Sequence, residues 1–127
     1  MTLTGLLAVG GGAAAGAWLR WWLSAILNPL LPSLPLGTLA ANLVGGYLIG
    51  VAFAAFTHFQ TLSPELRLLV VTGFLGGLTT FSTFSAEAAD HIAREQYAWT
   101  ATLLASHVLG SIAMTFAGAA SFRLAVS

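Results

Sequence analysis

Four apolar stretches separated by short polar turns make up almost the whole chain. They run from about Thr4 to Leu27, Leu36 to Phe56, Leu66 to Ile92 and Trp99 to Leu124. About 20 apolar residues cross a bilayer as a helix, so the pattern predicts four transmembrane helices. The turns carry the expected breakers. Asn28-Pro29 with Pro32 and Pro35 closes the first span. Ser63-Pro64-Glu65 reads as a helix start, with Ser63 as N-cap and Pro64 in the first helical position. No tail or loop is long enough for a second domain, so residues 1–127 read as one all-α membrane domain.

Inside the spans, small and polar residues are not scattered. Ala8, Gly12, Gly16 and Arg20 recur every fourth residue and share a helix face. Thr38, Asn42, Gly46 and Gly50 do the same in the second span, and His107, Ser111 and Thr115 in the fourth. Small residues at this spacing let helix backbones approach closely in a membrane. Asn42 suits either of two roles: a hydrogen bond that holds helices together, or a donor facing a polar path. The hydroxyls of the fourth span can bond their own helix or line that path. Arg20-Trp21-Trp22 reads as an interfacial end.

The third span departs from the pattern. Gly73-Phe74-Leu75-Gly76-Gly77-Leu78-Thr79-Thr80-Phe81-Ser82-Thr83-Phe84-Ser85 begins as a membrane helix and loses helical propensity at its centre. Irregular backbone at membrane depth survives only where protein covers it or it lines a polar cavity. The run therefore predicts a third helix broken in the middle at a functional site. Carbonyls freed by such a break coordinate cations, and half-helix N-termini attract anions. Near a two-fold axis, two carbonyls from each of two copies would form a four-oxygen cage for one hard monovalent cation. The Phe-Ser-Thr-Phe-Ser portion suits an anion instead, because aromatic ring edges carry positive potential. Phe81 and Phe84 are three residues apart, as are Ser82 and Ser85.

Composition narrows the class. The chain is 57% hydrophobic and 6% charged, far below the roughly 25% charge of soluble domains. Zero net charge argues against nucleic acid as a partner, and zero cysteine excludes disulfide and thiolate chemistry. The first apolar stretch lacks a basic n-region and runs on into the tryptophans, so no cleaved signal peptide is expected. Four arginines carry all the side-chain basic charge besides the histidines. In a four-span topology Arg67 and Arg123 lie on one side, and Arg20 and Arg94 on the other. Topology follows the Lys/Arg bias of the loops, and here the count is two against two. The chain is expected to insert both ways up, which makes an antiparallel two-fold homodimer available.

The run GFLGGLTTFSTFS, Gly73 to Ser85, resembles the hallmark of the Fluc (CrcB) fluoride channel family. G-A-W-L-R-W at Gly16 to Trp21, G-T-L-A-A-N-L-V-G-G at Gly37 to Gly46, and Gly110-Ser111 match in the same order. The resemblance covers essentially the whole chain. It implies an antiparallel dual-topology homodimer with two pores in the bacterial inner membrane, through which fluoride leaves the cell passively. By position it implies Phe81 and Phe84 as ring-edge anion contacts and Asn42 as an amide donor. Ser111 and Thr115, with His107, would form a polar track. Thr38, Ser82 and Thr83 would be lining or supporting hydroxyls. Arg20 would sit near a vestibule and Glu87 near a pore mouth. The backbone carbonyls of Gly76 and Thr79, from both chains, would hold a structural sodium ion.

Two other classes fit the sequence less well. A small multidrug-type proton-coupled exporter needs a membrane carboxylate, and Glu87 is the sole candidate, near a helix end. A hydrolase would need a nucleophile elbow, and no G-x-S-x-G is present; the chain is not expected to be an enzyme. The tie in arginine count has a direct consequence. Accessibility labelling at either terminus should find it on both sides of the membrane across the population; termini confined to one side would refute dual insertion.

Overall fold

The computed structural model describes residues 1–127, and the chain is all-helical. Helix α1 spans Leu3–Leu27 and α2 spans Leu36–His58. Helix α3 covers 64–78, α4 covers Phe81–Ala93 and α5 covers Tyr97–Val126. Three runs are long and apolar enough to cross a membrane: Leu36–His58, Pro64–Ala93 and Tyr97–Val126. The Gly- and Ala-rich α1 is 25 residues long.

Four of the five helices start where a side chain takes over orphan backbone donors. Thr2 Oγ1 accepts from Gly5 N at 2.9 Å. Ser63 Oγ accepts from Leu66 N at 3.1 Å and Pro64 opens α3, the roles their order in the sequence predicts. The start of α2 is capped from a distance: Asn28 Oδ1 accepts from Gly37 N at 2.7 Å and from Thr38 N at 3.1 Å. The asparagine that ends α1 thus also fixes where α2 begins. Two stretches, Leu68–Leu75 and Ala105–Leu109, widen into i→i+5 hydrogen bonding. Such turns recur at functional sites, and nothing in the spacing of apolar residues foretold them.

Helix α1 packs on α3, and α2 on α5, with α1 and α2 also in contact. The glycine faces set these distances. A Cβ on Gly16 would collide with the Phe74 carbonyl of α3, and one on Gly50 with the Thr115 carbonyl of α5. Two small clusters form the interior. Ala41, Leu75 and Leu78 pack with Leu19 and Phe74; Phe84, Ala88 and Leu103 pack with Leu34. Only 21 of 127 residues are buried, and large apolar side chains such as Trp21, Phe116 and Leu124 point outward. That apolar exterior suits lipid or another chain rather than water.

The glycine contacts separate essential from dispensable positions. Gly16→Val or Gly50→Val should destabilise the fold by about 1–3 kcal/mol through overpacking. Gly10→Ala should be tolerated, since a Cβ there would meet no atom within 4 Å. Chemical denaturation in detergent micelles measures both effects, and equal stability of all three variants would contradict the packing described.

Candidate functional site

The helical path stops at two threonines. Thr79 has φ −86° and ψ 153°, and Thr80 has φ −149° and ψ 118°, both extended. A continuous α-helix would bond Thr80 N to the Gly76 carbonyl and Thr83 N to the Thr79 carbonyl. Neither bond forms. Thr80 N donates to Asn42 Oδ1 at 2.8 Å, and Thr83 N donates to Thr80 Oγ1 at 3.2 Å. Asn42 completes the exchange by donating from Nδ2 to the Thr80 carbonyl at 3.0 Å. One side-chain amide therefore treats Thr80 as a strand neighbour would. Two donors have been taken away from the Gly76 and Thr79 carbonyls, which are left free of their helical partners. Thr79 is anchored on the other side, its amide and hydroxyl both donating to the Leu75 carbonyl at 3.0 and 2.8 Å. Gly45 leaves the room that the Thr79 methyl fills.

Asn42 also orders its other neighbour. Its Nδ2 lies 3.0 Å from His107 Nδ1. An amide nitrogen can only donate, so Nδ1 accepts, and a neutral imidazole then carries its proton on Nε2. That Nε2 is buried and has no partner within the chain. Phe84 stacks on the His107 ring with centroids 4.6 Å apart and 25° between planes. Phe81 meets Phe84 edge-on at 5.5 Å and is itself 77% exposed.

These groups line a cavity of about 500 Å³ between α2, α3, α4 and α5. Asn42, Gly76, Thr79, Thr80, Phe81, Phe84, His107 and Ser111 all contribute to it, and no Asp, Glu, Lys or Arg does. Thr115 lies further along the α2–α5 groove, on a second cavity of about 580 Å³ that reaches Thr57, His58 and Arg123. The Thr115 hydroxyl is within 3.0 Å of both the Gly46 and Ser111 carbonyls. It spans two helices as well as bonding its own.

The remaining residues singled out from the sequence stand apart from this cavity. Thr38 is fully buried and donates to Glu87 Oε2 at 2.8 Å, while Glu87 Oε1 is buried without a partner. Ser82 is exposed, 3.4 Å from the Thr80 hydroxyl, and Thr83 is half-buried. Arg20 reaches the break from α1, with Nε donating to the Gly77 carbonyl at 3.0 Å. Thr80 was not singled out, although it is the residue that Asn42 holds. Its signal was present: a hydroxyl residue immediately before an amphipathic helical stretch is an N-cap candidate. No group of three or more His, Cys, Asp or Glu side chains is placed to hold a metal ion.

Comparison with known proteins places the chain in a family. Residues 7–119 match the family described as CrcB-like protein, Camphor Resistance (CrcB). The chain is 62% identical over 118 residues to a protein of Nitrosospira multiformis named Fluoride-specific ion channel FluC, covering 93% of this chain and 92% of that one. Proteins of the same name from Pseudomonas putida and Chromobacterium violaceum are 57% and 59% identical. They cover 94% and 93% of this chain, and 94% of their own lengths in each case.

The clamp on Thr80 has a measurable weight. Asn42→Ala leaves the half-buried N–H and C=O of Thr80 without this partner, where a fully buried orphan group costs about 1–3 kcal/mol. The variant should be less stable to denaturant by about 1–3 kcal/mol in all; unchanged stability would mean that the amide does not hold the break.

Proposed function

Because the chain belongs to the CrcB-like family, we propose that it is a fluoride-selective ion channel through which fluoride leaves the cell passively, protecting it from fluoride toxicity. It is a multi-pass bacterial membrane protein and a conductor of ions rather than an enzyme. We further propose four spans, counting α1, whose 25 residues reach about 37 Å, with the third span broken at Thr79-Thr80. In this reading the chain works in the inner membrane as an antiparallel dual-topology homodimer with two pores.

One observation carries the reading: the cavity at the break is lined by Phe81, Phe84, His107, Asn42 and hydroxyl residues and has no charged lining residue. Fluoride is small and strongly hydrated, so a pore must replace its water with close donors. The Ser111 hydroxyl and the His107 ring, both in the cavity wall, carry such donors. Phe81 and Phe84 add the positive potential of ring edges. A lysine or arginine in the cavity would hold the anion tightly, whereas conduction requires that the ion also leave. Asn42 contributes at one remove. Its N–H groups are directed to Thr80 and His107, so it fixes the break and the imidazole tautomer together.

The residues at the break also fit a structural sodium ion. The Gly76 and Thr79 carbonyls have lost their helical donors, and Gly76 lies on the open face of the chain. In an antiparallel pair these two carbonyls and those of the second copy would hold the ion. When bound, sodium supplies positive charge at membrane depth and ties the two chains together. Phe81, exposed in a single chain, would be covered in the same assembly.

The exporter alternative finds less support. Glu87 is bonded to Thr38 and lies outside the cavity. Fluoride efflux from liposomes tests the assignment of the rings. Phe84→Ile should lower fluoride flux at least tenfold while the protein remains dimeric by size-exclusion chromatography. Flux equal to the wild type would remove the phenylalanines from the path.

A further inference from the structure

Among the four arginines, Arg20 alone donates to a backbone carbonyl. Arg94 pairs with Asp90 on a helix surface, and Arg67 lies over the Phe56 ring. Arg123 is exposed. Arg20 is half-buried, and its partner, the Gly77 carbonyl, is 57 positions away. In an unbroken helix that carbonyl would accept from Phe81 N. With Thr79 and Thr80 extended, Phe81 begins a new helix and Gly77 is left among the orphan carbonyls at the end of α3. Arg20 Nε replaces the lost donor.

The approach is built into α1. A Cβ at Gly12 would come within 2.8 Å of Phe74 N, and at Gly16 within 2.7 Å of Leu78 N. A Cβ at Gly77 would collide with the Ala13 carbonyl. The two backbones are in contact for two turns, and Arg20 is the next residue on that face. Its guanidinium is brought to the C-terminal end of α3, where a cation is also favoured by the helix dipole.

We infer that Arg20 is a positioning residue for the break: it ties the Gly77 carbonyl toward α1, so that the flanking Gly76 and Thr79 carbonyls, and not Gly77, face the cation site. This rests on the channel and sodium reading above. It also separates two roles that one side chain could play. A charge at a pore mouth acts through its field and is screened by salt. A hydrogen bond to Gly77 needs a donor at one place and no charge.

Glutamine distinguishes the two, because its Nε2 is as many bonds from Cα as the arginine Nε and is neutral. Methionine has similar length and no donor. Fluoride efflux is measured for wild type, Arg20→Gln and Arg20→Met at low and high ionic strength and over a range of sodium concentrations. Arg20→Gln should stay within threefold of wild type at both ionic strengths and keep its sodium dependence. Arg20→Met should lose at least tenfold in flux or need at least tenfold more sodium. If Arg20→Met does not assemble while Arg20→Gln does, the donor rather than the charge is again what the site needs. A glutamine variant as impaired as the methionine one, or a methionine variant equal to wild type, would overturn the inference. Should the wild type itself pass no fluoride, the channel reading falls separately. The same three proteins are then compared by the sodium-dependent rise in unfolding temperature, where Arg20→Gln is expected to match wild type and Arg20→Met is not.

Discussion

At membrane depth no water is available to satisfy a backbone group, so each N–H and C=O must find a partner inside the protein. The structure turns on how that demand is met at Thr79 and Thr80. Two residues leave the helix, and the groups they release are redistributed among specific side chains. Asn42 takes both polar groups of Thr80, the Thr80 hydroxyl takes Thr83 N, and Arg20 takes the Gly77 carbonyl. The Gly76 and Thr79 carbonyls are left without helical donors, and on the reading proposed here that is their purpose.

Side chains can meet those needs only because the helices are close. Gly12 and Gly16 bring α1 against the backbone of α3, and Gly46 and Gly50 bring α2 against α5. The first contact delivers Arg20. The second sets His107 and Ser111 beside Asn42, and places the Thr115 hydroxyl where it reaches both its own helix and Gly46. Packing and chemistry are therefore one design in this chain. The glycine faces hold the helices at the spacing from which the polar groups can reach the break.

Much of this was legible along the chain. An all-helical membrane protein followed from long apolar runs and scarce charge, and the Ser63-Pro64 start from local capping rules. The faces at i+4 spacing pointed to close helix contacts. What sequence could not supply was partnership across long separations. Asn42 was readable as either helix glue or a donor to the path, and its amide in fact holds Thr80, 38 positions away, and His107, 65 positions away. Arg20 was readable as a vestibule charge, and the carbonyl it meets lies on another helix. Thr38 and Glu87 were noted separately, and their hydrogen bond depends on how α2 and α4 pack. The wide turns at Leu68–Leu75 and Ala105–Leu109 escaped because they leave the apolar pattern nearly unchanged.

On this reading the chain conducts one anion, selected by hydrogen-bond donors and ring edges rather than by a fixed charge. The most direct test is ion efflux from liposomes that carry the purified protein, with fluoride and chloride compared under the same outward gradient. Rapid fluoride release with no chloride release above protein-free liposomes is the predicted result. Equal release of the two anions, or release of neither, would contradict it.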